Sequence, residues 1–186
     1  MIEHVTTAGV FSLDGEDFDV ENNIWLVGDD HEVIVVDAAH DAAPIADAVG
    51  DRTVRAILCT HGHNDHINAA DALSRATGGA PVLLHPDDEM LWDAVYPDRK
   101  PDGAVRDGDE IEVAGVQLRI AHTPGHSPGG VCLVGPDGHV FGGDTLFQGG
   151  PRATGRSYSD FPTIIDSIRD PPARAARRHG RAHRPR

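Results

Sequence analysis

The sequence predicts a layered α/β domain. Short apolar, β-branched runs bounded by Gly, Pro and Asp recur along the chain. Alanine- and leucine-rich segments with helical spacing lie between several of them, and no interior stretch has linker composition. The chain has 186 residues, enough for one domain with a substantial core. We assign residues 1–170 to that domain and residues 171–186 to a basic, disordered tail.

Residues 24–27 and 32–37 are strand-like and are joined by a turn at Gly28-Asp29-Asp30. Residues 44–49 form a helix candidate with Pro44 in its first turn. Residues 54–60 are a third strand. Residues 68–76 have helical spacing and end at Gly78-Gly79. A strand over 81–85 leads into a helix over 86–95, where Trp92 and Tyr96 lie four apart and are expected to pack together. Beyond Asp98 the character becomes strand-rich, with candidates at 110–113, 117–122, 130–134 and 139–143. A helix over 162–169 closes the domain.

Formal net charge is -14. Six of the 16 basic residues fall in 171–186, leaving 10 against 30 acidic ones, a net of -20 for the first 170. Such a surface argues against nucleic acid as a partner, and the scarcity of Trp, Tyr and Phe argues against base stacking. No apolar run is long enough to span a membrane, and no secretory leader is evident at the N-terminus. Two cysteines, Cys59 and Cys132, both in apolar runs, fit a reducing cytoplasm and not a disulfide framework.

The densest chemistry is His61-Gly62-His63-Asn64-Asp65-His66, directly after the strand ending near Thr60. Four potential metal ligands occupy six residues, and imidazole with carboxylate suits zinc or iron. His61 and His63 can point the same way from an extended segment, while Asp65 and His66 face another direction and suit a neighbouring ion. Two further loops follow strand candidates. His122-Thr123-Pro124-Gly125-His126-Ser127-Pro128-Gly129-Gly130 presents His126, and Phe141-Gly142-Gly143-Asp144 presents an aspartate whose two oxygens could serve two ions. Asp37 and His40 follow the strand at 32–37. His85 is either a cleft residue or a strand-end histidine.

His-x-His-x-Asp-His at 61–66, Thr-Pro-Gly-His at 123–126 and Gly-Gly-Asp at 142–144, in that order, resemble the metallo-β-lactamase superfamily. Thr60, Ser127-Pro128-Gly129, Gly150-Pro151-Arg152 and Tyr158-Ser159-Asp160-Phe161 are similar to its glyoxalase II-like (hydroxyacylglutathione hydrolase-like) branch. The resemblance implies an αββα sandwich with a two-metal cleft. It implies His61, His63 and His126 on one zinc ion, Asp65 and His66 on a second, and Asp144 on both. It also implies Asp37 as a brace for the metal loops, and Arg152, Arg156 and Tyr158 at the substrate mouth. The expected activity is hydrolysis of a small-molecule thioester by a metal-bound hydroxide, with Asp65 orienting it. Iron is an alternative metal. Persulfide dioxygenases share these motifs and use one iron on residues matching His61, His126 and Asp144, so an oxidoreductase is the first rival.

Members of the branch continue past this region through a strand to a Gly-His-Gly loop whose histidine completes the second metal site. Residues 171–186 carry no apolar side chain larger than alanine, so no such strand is expected and the sandwich is expected to lack its last strand and helix. The tail is similar to a shifted reading frame of GC-rich DNA; an anion-binding basic tail is the alternative. On either account the second metal is expected to bind more weakly and hydrolysis to be impaired. An inactive family member is the remaining rival.

Overall fold

The computed structural model describes residues 1–147, 149–151 and 154–169. Arg152 and the 171–186 tail lie outside them.

Twelve strands and five helices alternate along the described chain. β1 (Ile2–Leu13), β2 (Glu16–Gly28), β3 (Glu32–Val36), β4 (Thr53–Leu58), β5 (Val82–Leu84) and β6 (Gly103–Ala104) form one sheet in that order. β1, β2 and β3 are antiparallel neighbours, and β3 to β6 run parallel. β7 (Glu110–Val113), β8 (Val116–His122), β9 (Val131–Val134) and β10 (Val140–Phe141) form a second, antiparallel sheet. A short ribbon pairs β11 (Leu146–Phe147) with β12 (Gly150–Pro151).

Strand alternation decides the layers. Val33 and Val35 of β3 face one way, into a cluster with Ile45, Val49, Ile67, Leu73 and Trp92. Those side chains come from α1 (Ala42–Val49), α2 (Asn64–Ile67), α3 (Ala70–Ala76) and α4 (Glu89–Val95). Ile34 and Val36 face the other way, against Val113, Leu118, Ile120 and Leu133 of the second sheet. Burial on both faces is why β3 reads as an unbroken apolar run. The layer order is therefore helices, first sheet, second sheet. α5 (Phe161–Arg169) packs Ile164 and Ser167 against the loop after β8, where Ser167 donates to Pro124 O at 2.8 Å.

Local chemistry explains several boundaries. Asp41 caps α1 by accepting from Ala43 N–H, a contact typically worth about 1 kcal/mol. Trp92 and Tyr96 pack with ring centroids 4.6 Å apart, and the Tyr96 hydroxyl donates to Ile67 O, tying α4 to α2. No helix among the described residues is long and apolar enough to cross a membrane.

The structure extends the sequence expectation in one large respect. β1 pairs along its whole length with Glu16 to Val27 of β2 in a 12-pair hairpin, of which only 24–27 is expected from the sequence. Asp14 and Gly15 both have positive φ (55° and 78°), the turn that Asp-Gly favours between twisted strands. The strands are half-solvated, and residues 16–23 carry only Phe18 and Val20 as apolar side chains.

Candidate metal centre

The site lies beyond the C-terminal ends of β3, β4, β8 and β10. β4 ends at Leu58, and the chain stays pinned to β5 through Cys59 N–H to Leu83 O. His61 follows in a bend and His63 on extended backbone. At His63 (φ -66°, ψ 147°) the chain turns into α2, so Asp65 and His66 lie on a single helical turn and not on a continued extended loop. This turn gives the motif its second direction.

All six expected ligands converge. His61, His63, Asp65, His66 and Asp144 are buried, and His126 is nearly so. His61, His63 and His126 offer ligand atoms within 4.8 Å of one another, and so do His61, His66 and Asp144. His63 Nδ1 lies 3.0 Å from His126 Nε2. Asp144 stands between the two groups: its Oδ2 is 3.4 Å from His126 Nε2 and its Oδ1 is 3.4 Å from His66 Nε2. Asp65 Oδ2 is 3.6 Å from His66 Nε2. Asp65 Oδ1 is buried with no hydrogen-bond partner among the described residues. A buried carboxylate oxygen in that state is costly unless a cation or proton joins it.

Asp37 lies beside the candidate ligands. At the end of β3, with φ 60°, it accepts from Thr60 N–H (2.7 Å), Thr60 Oγ–H (2.8 Å) and His66 Nδ1 (2.9 Å). Burial pulls the His66 pKa down, but Asp144 and Asp37 more than offset it and hold the imidazole well above its ordinary 6.5. A divalent cation at Nε2 would compete with that proton.

Two residues that sequence reasoning missed also serve the site. Asn22, on β2, donates from Nδ2 to Asp65 Oδ2 (3.2 Å) with His66 Nε2 3.0 Å away, and its Oδ1 lies 3.1 Å from His40 Nε2. Asp88, fully buried, accepts from Gly62 N–H, Ser127 Oγ–H and Gly129 N–H. Asn22 belongs to the hairpin half that the sequence hid. Asp88 is indistinguishable from Asp87 until helix register is known.

A third cluster, His85, Asp87 and His122, is of another kind. The two imidazoles are stacked at 4.2 Å with planes 10° apart, so their lone pairs lie in separate, nearly parallel planes, a poor arrangement for sharing one ion. His85 Nδ1 accepts from Asp87 N–H, capping the turn Pro86–Asp88. His85 is thus a strand-end cap, one of the two readings its sequence allows.

Two cavities flank Asp144. One, of about 500 Å³, touches His66 and Asn22 and is walled by Trp25 and Phe141. The other, of about 350 Å³, touches His63, Asp65 and His126 beneath Phe11, Leu13 and Phe18 of the hairpin. Arg156 lines this second mouth, stacked over Phe18 at 4.6 Å and paired with Glu16 at 3.0 Å. Tyr158 departs from its expected place: it sits at φ 68°, is 56% exposed and does not line the cavity, whereas its neighbours Ser157 and Ser159 do.

Comparison with known proteins adds the following. The family model described as Metallo-beta-lactamase superfamily matches residues 18–180. Hydroxyacylglutathione hydrolase of Photobacterium profundum is 35% identical over 144 residues, covering 76% of this chain and 52% of that protein. Hydroxyacylglutathione hydrolase GloC of Haemophilus influenzae is 30% identical over 168 residues, covering 80% and 78%. The chain therefore spans about half the length of the first of these relatives. Among solved structures, BLEG-1 B3 metallo-beta-lactamase superposes with a TM-score of 0.71 at 26% identity, covering 88% of this chain and 84% of that one. TTHA1623 in a di-iron-bound form gives 0.65 at 28% identity, covering 79% of each. ETHE1 from Myxococcus xanthus gives 0.66 at 26% identity, covering 79% and 63%.

Proposed function

The chain belongs to the metallo-beta-lactamase superfamily, with relatives that mark its glyoxalase II-like branch, and from that premise we propose that it is a metal-dependent hydrolase of thioesters. The observation that carries the reading is the position of Asp144, with one oxygen beside His126 and the other beside His66.

In this proposal His61, His63 and His126 hold one ion, Asp65 and His66 hold a second, and Asp144 is shared. The residues fit such a group: the donors are imidazoles and carboxylates, and Asp65 Oδ1 is a buried oxygen without a hydrogen-bond partner among the described residues. Zinc is the proposed metal, and iron suits the same donors, as the di-iron form of TTHA1623 illustrates for that protein. Divalent ions held there supply Lewis acidity, bringing the pKa of a water toward neutrality and stabilising charge on a carbonyl oxygen.

The chain's own side chains do the rest. Asn22 donates to Asp65 Oδ2 and fixes the carboxylate, whose oxygen not engaged by an ion would orient the attacking water. Asp37 fixes the orientation of His66 through Nδ1. The cavities on either side of Asp144 give room for an acyl group on one side and its thiol carrier on the other. A thioester suits the site because a thiolate leaves at a modest pKa without strong acid assistance. We place the reaction in the cytoplasm, consistent with Cys59 and Cys132 both being buried free thiols.

The test is hydrolysis of S-lactoylglutathione by purified protein of measured metal content, before and after chelation. Turnover that tracks bound metal is expected; turnover indifferent to chelator, or none in fully loaded protein, would overturn the reading. The resemblance of His61, His126 and Asp144 to the iron ligands of persulfide dioxygenases supports one other reading, a mononuclear iron oxidoreductase. Oxygen uptake with a glutathione persulfide would favour it.

A further inference from the structure

Asp88 has no place in the chemistry above, yet it is fully buried and touches both histidine loops. It lies at the junction of the turn Pro86–Asp88 and α4. Oδ2 accepts from Gly62 N–H at 2.8 Å and from Ser127 Oγ–H at 2.8 Å, and Oδ1 accepts from Gly129 N–H at 2.6 Å. Gly62 separates His61 from His63, and Ser127 and Gly129 follow His126. One carboxylate therefore spans the backbone carrying all three imidazoles of the first ligand group. Nothing larger than hydrogen fits at either glycine. A Cβ on Gly62 would come within 2.8 Å of Leu91 Cβ and 2.9 Å of Asp88 O, and one on Gly129 within 2.8 Å of Asp88 N. Both loops are drawn against the start of α4.

The other brace, Asp37, reaches none of these atoms. Its partners are Thr60 and His66. Asp37 thus supports the half of the centre containing His66, and Asp88 the half containing His126.

We propose that Asp88 is a positioning residue that sets the distance between the loop after β4 and the loop after β8, and so the affinity of the His61, His63 and His126 group for its ion. The proposal rests on the metal-binding part of the function proposed above and is independent of the substrate. An amide in place of the carboxylate cannot accept from all three donors, so Asp88→Asn leaves at least one buried N–H or O–H unpaired.

The experiment is a competition titration of the metal-free protein with Co²⁺ against a chromophoric chelator, with the cobalt absorption bands distinguishing the site of three imidazoles and Asp144 from the site of Asp65, His66 and Asp144. Asp88→Asn is expected to weaken the site of His61, His63 and His126 by about 10–100-fold and leave the site of Asp65 and His66 near wild type, and Asp37→Asn to do the reverse. Ser127→Ala, which removes one of three donors, should weaken the same site less, and should add little in the Asp88→Asn background. A purely structural role would lower the melting temperature of Asp88→Asn while leaving the ratio of the two affinities unchanged, and that result overturns the proposal. If Asp88→Asn does not fold, Ser127→Ala alone decides: a shifted ratio supports the tie, and an unshifted one refutes it. If wild-type protein binds no divalent ion, the metal reading itself fails. Hydrogen exchange of the metal-free protein then decides the tie: the Gly62 and Gly129 amides must lose protection together in Ser127→Ala, and independent behaviour refutes it.

Discussion

His61, His63 and His126 are assembled by backbone, whereas Asp65, His66 and Asp144 are assembled by side chains. The first group sits on two loops whose main-chain N–H groups are drawn to Asp88. The second depends on Asp37 for the orientation of His66 and on Asn22 for that of Asp65. The difference is one of sensitivity. Main-chain placement responds to packing and to glycine substitution. Side-chain placement responds to protonation, because the imidazole and carboxylates that hold one another are the groups that would hold a cation.

The comparison breaks most completely at Asp144, which faces both groups. Asp144→Ala is expected to reduce hydrolysis to the background rate and to weaken both ions, as measured by kcat/KM alongside metal content; loss of only one ion would show that it serves a single group. Asp37→Asn should cost about 10–100-fold in affinity at the His66 side alone, read by metal titration. Equal losses at both sites would mean that the halves are not separable.

Acidity sharpens the contrast further. The folded-state pKa of His66 is raised above 6.5, with Asp144 and Asp37 outweighing the downward pull of burial. A raised imidazole pKa contributes stability that is fully present below 6.5 and is lost as pH rises through the folded value. The melting temperature of metal-free protein should therefore fall across that window, while metal affinity at the His66 side rises, since the ion displaces the proton. Calorimetry at a series of pH values checks the first, and titration the second. A flat metal-free profile would mean that His66 does not carry the proton.

The smallest effects belong to the mouth. Arg156→Ala removes a partly exposed ion pair with Glu16, worth no more than about 1 kcal/mol, together with its stacking on Phe18. A rise in KM with little change in kcat is expected. Tyr158→Phe should be silent in both, given the exposure of the ring. A larger effect at Tyr158 than at Arg156 would reverse the assignment of the cavity wall.

The same division governs what the sequence could reveal. Buried parallel strands advertise themselves as apolar runs, so β3, β4 and β5 were legible, as was the order of the three ligand-bearing loops. All six candidate ligands were readable because each lies in a short, distinctive string that follows a strand. The hairpin β1–β2 was not, because its outer half buries little, although Asp14-Gly15 carried a usable turn signal. The helical turn at Asn64–Ile67 was hidden inside the motif, four residues being too few for periodicity. Asn22 and Asp88 were illegible for a different reason. Each is an ordinary polar residue whose meaning comes only from what tertiary packing brings against it. Arg152 and the 171–186 tail lie outside the described residues.

Asp144 stands between two candidate ligand groups. Anomalous diffraction at the zinc edge, on crystals of the metal-loaded protein, reads out whether they form one shared centre. Two peaks about 3.5–4 Å apart are expected on either side of Asp144, one within reach of His61, His63 and His126 and the other of Asp65 and His66. A peak at His85 and His122 in place of these, or ions that leave Asp144 unligated, would contradict a shared centre.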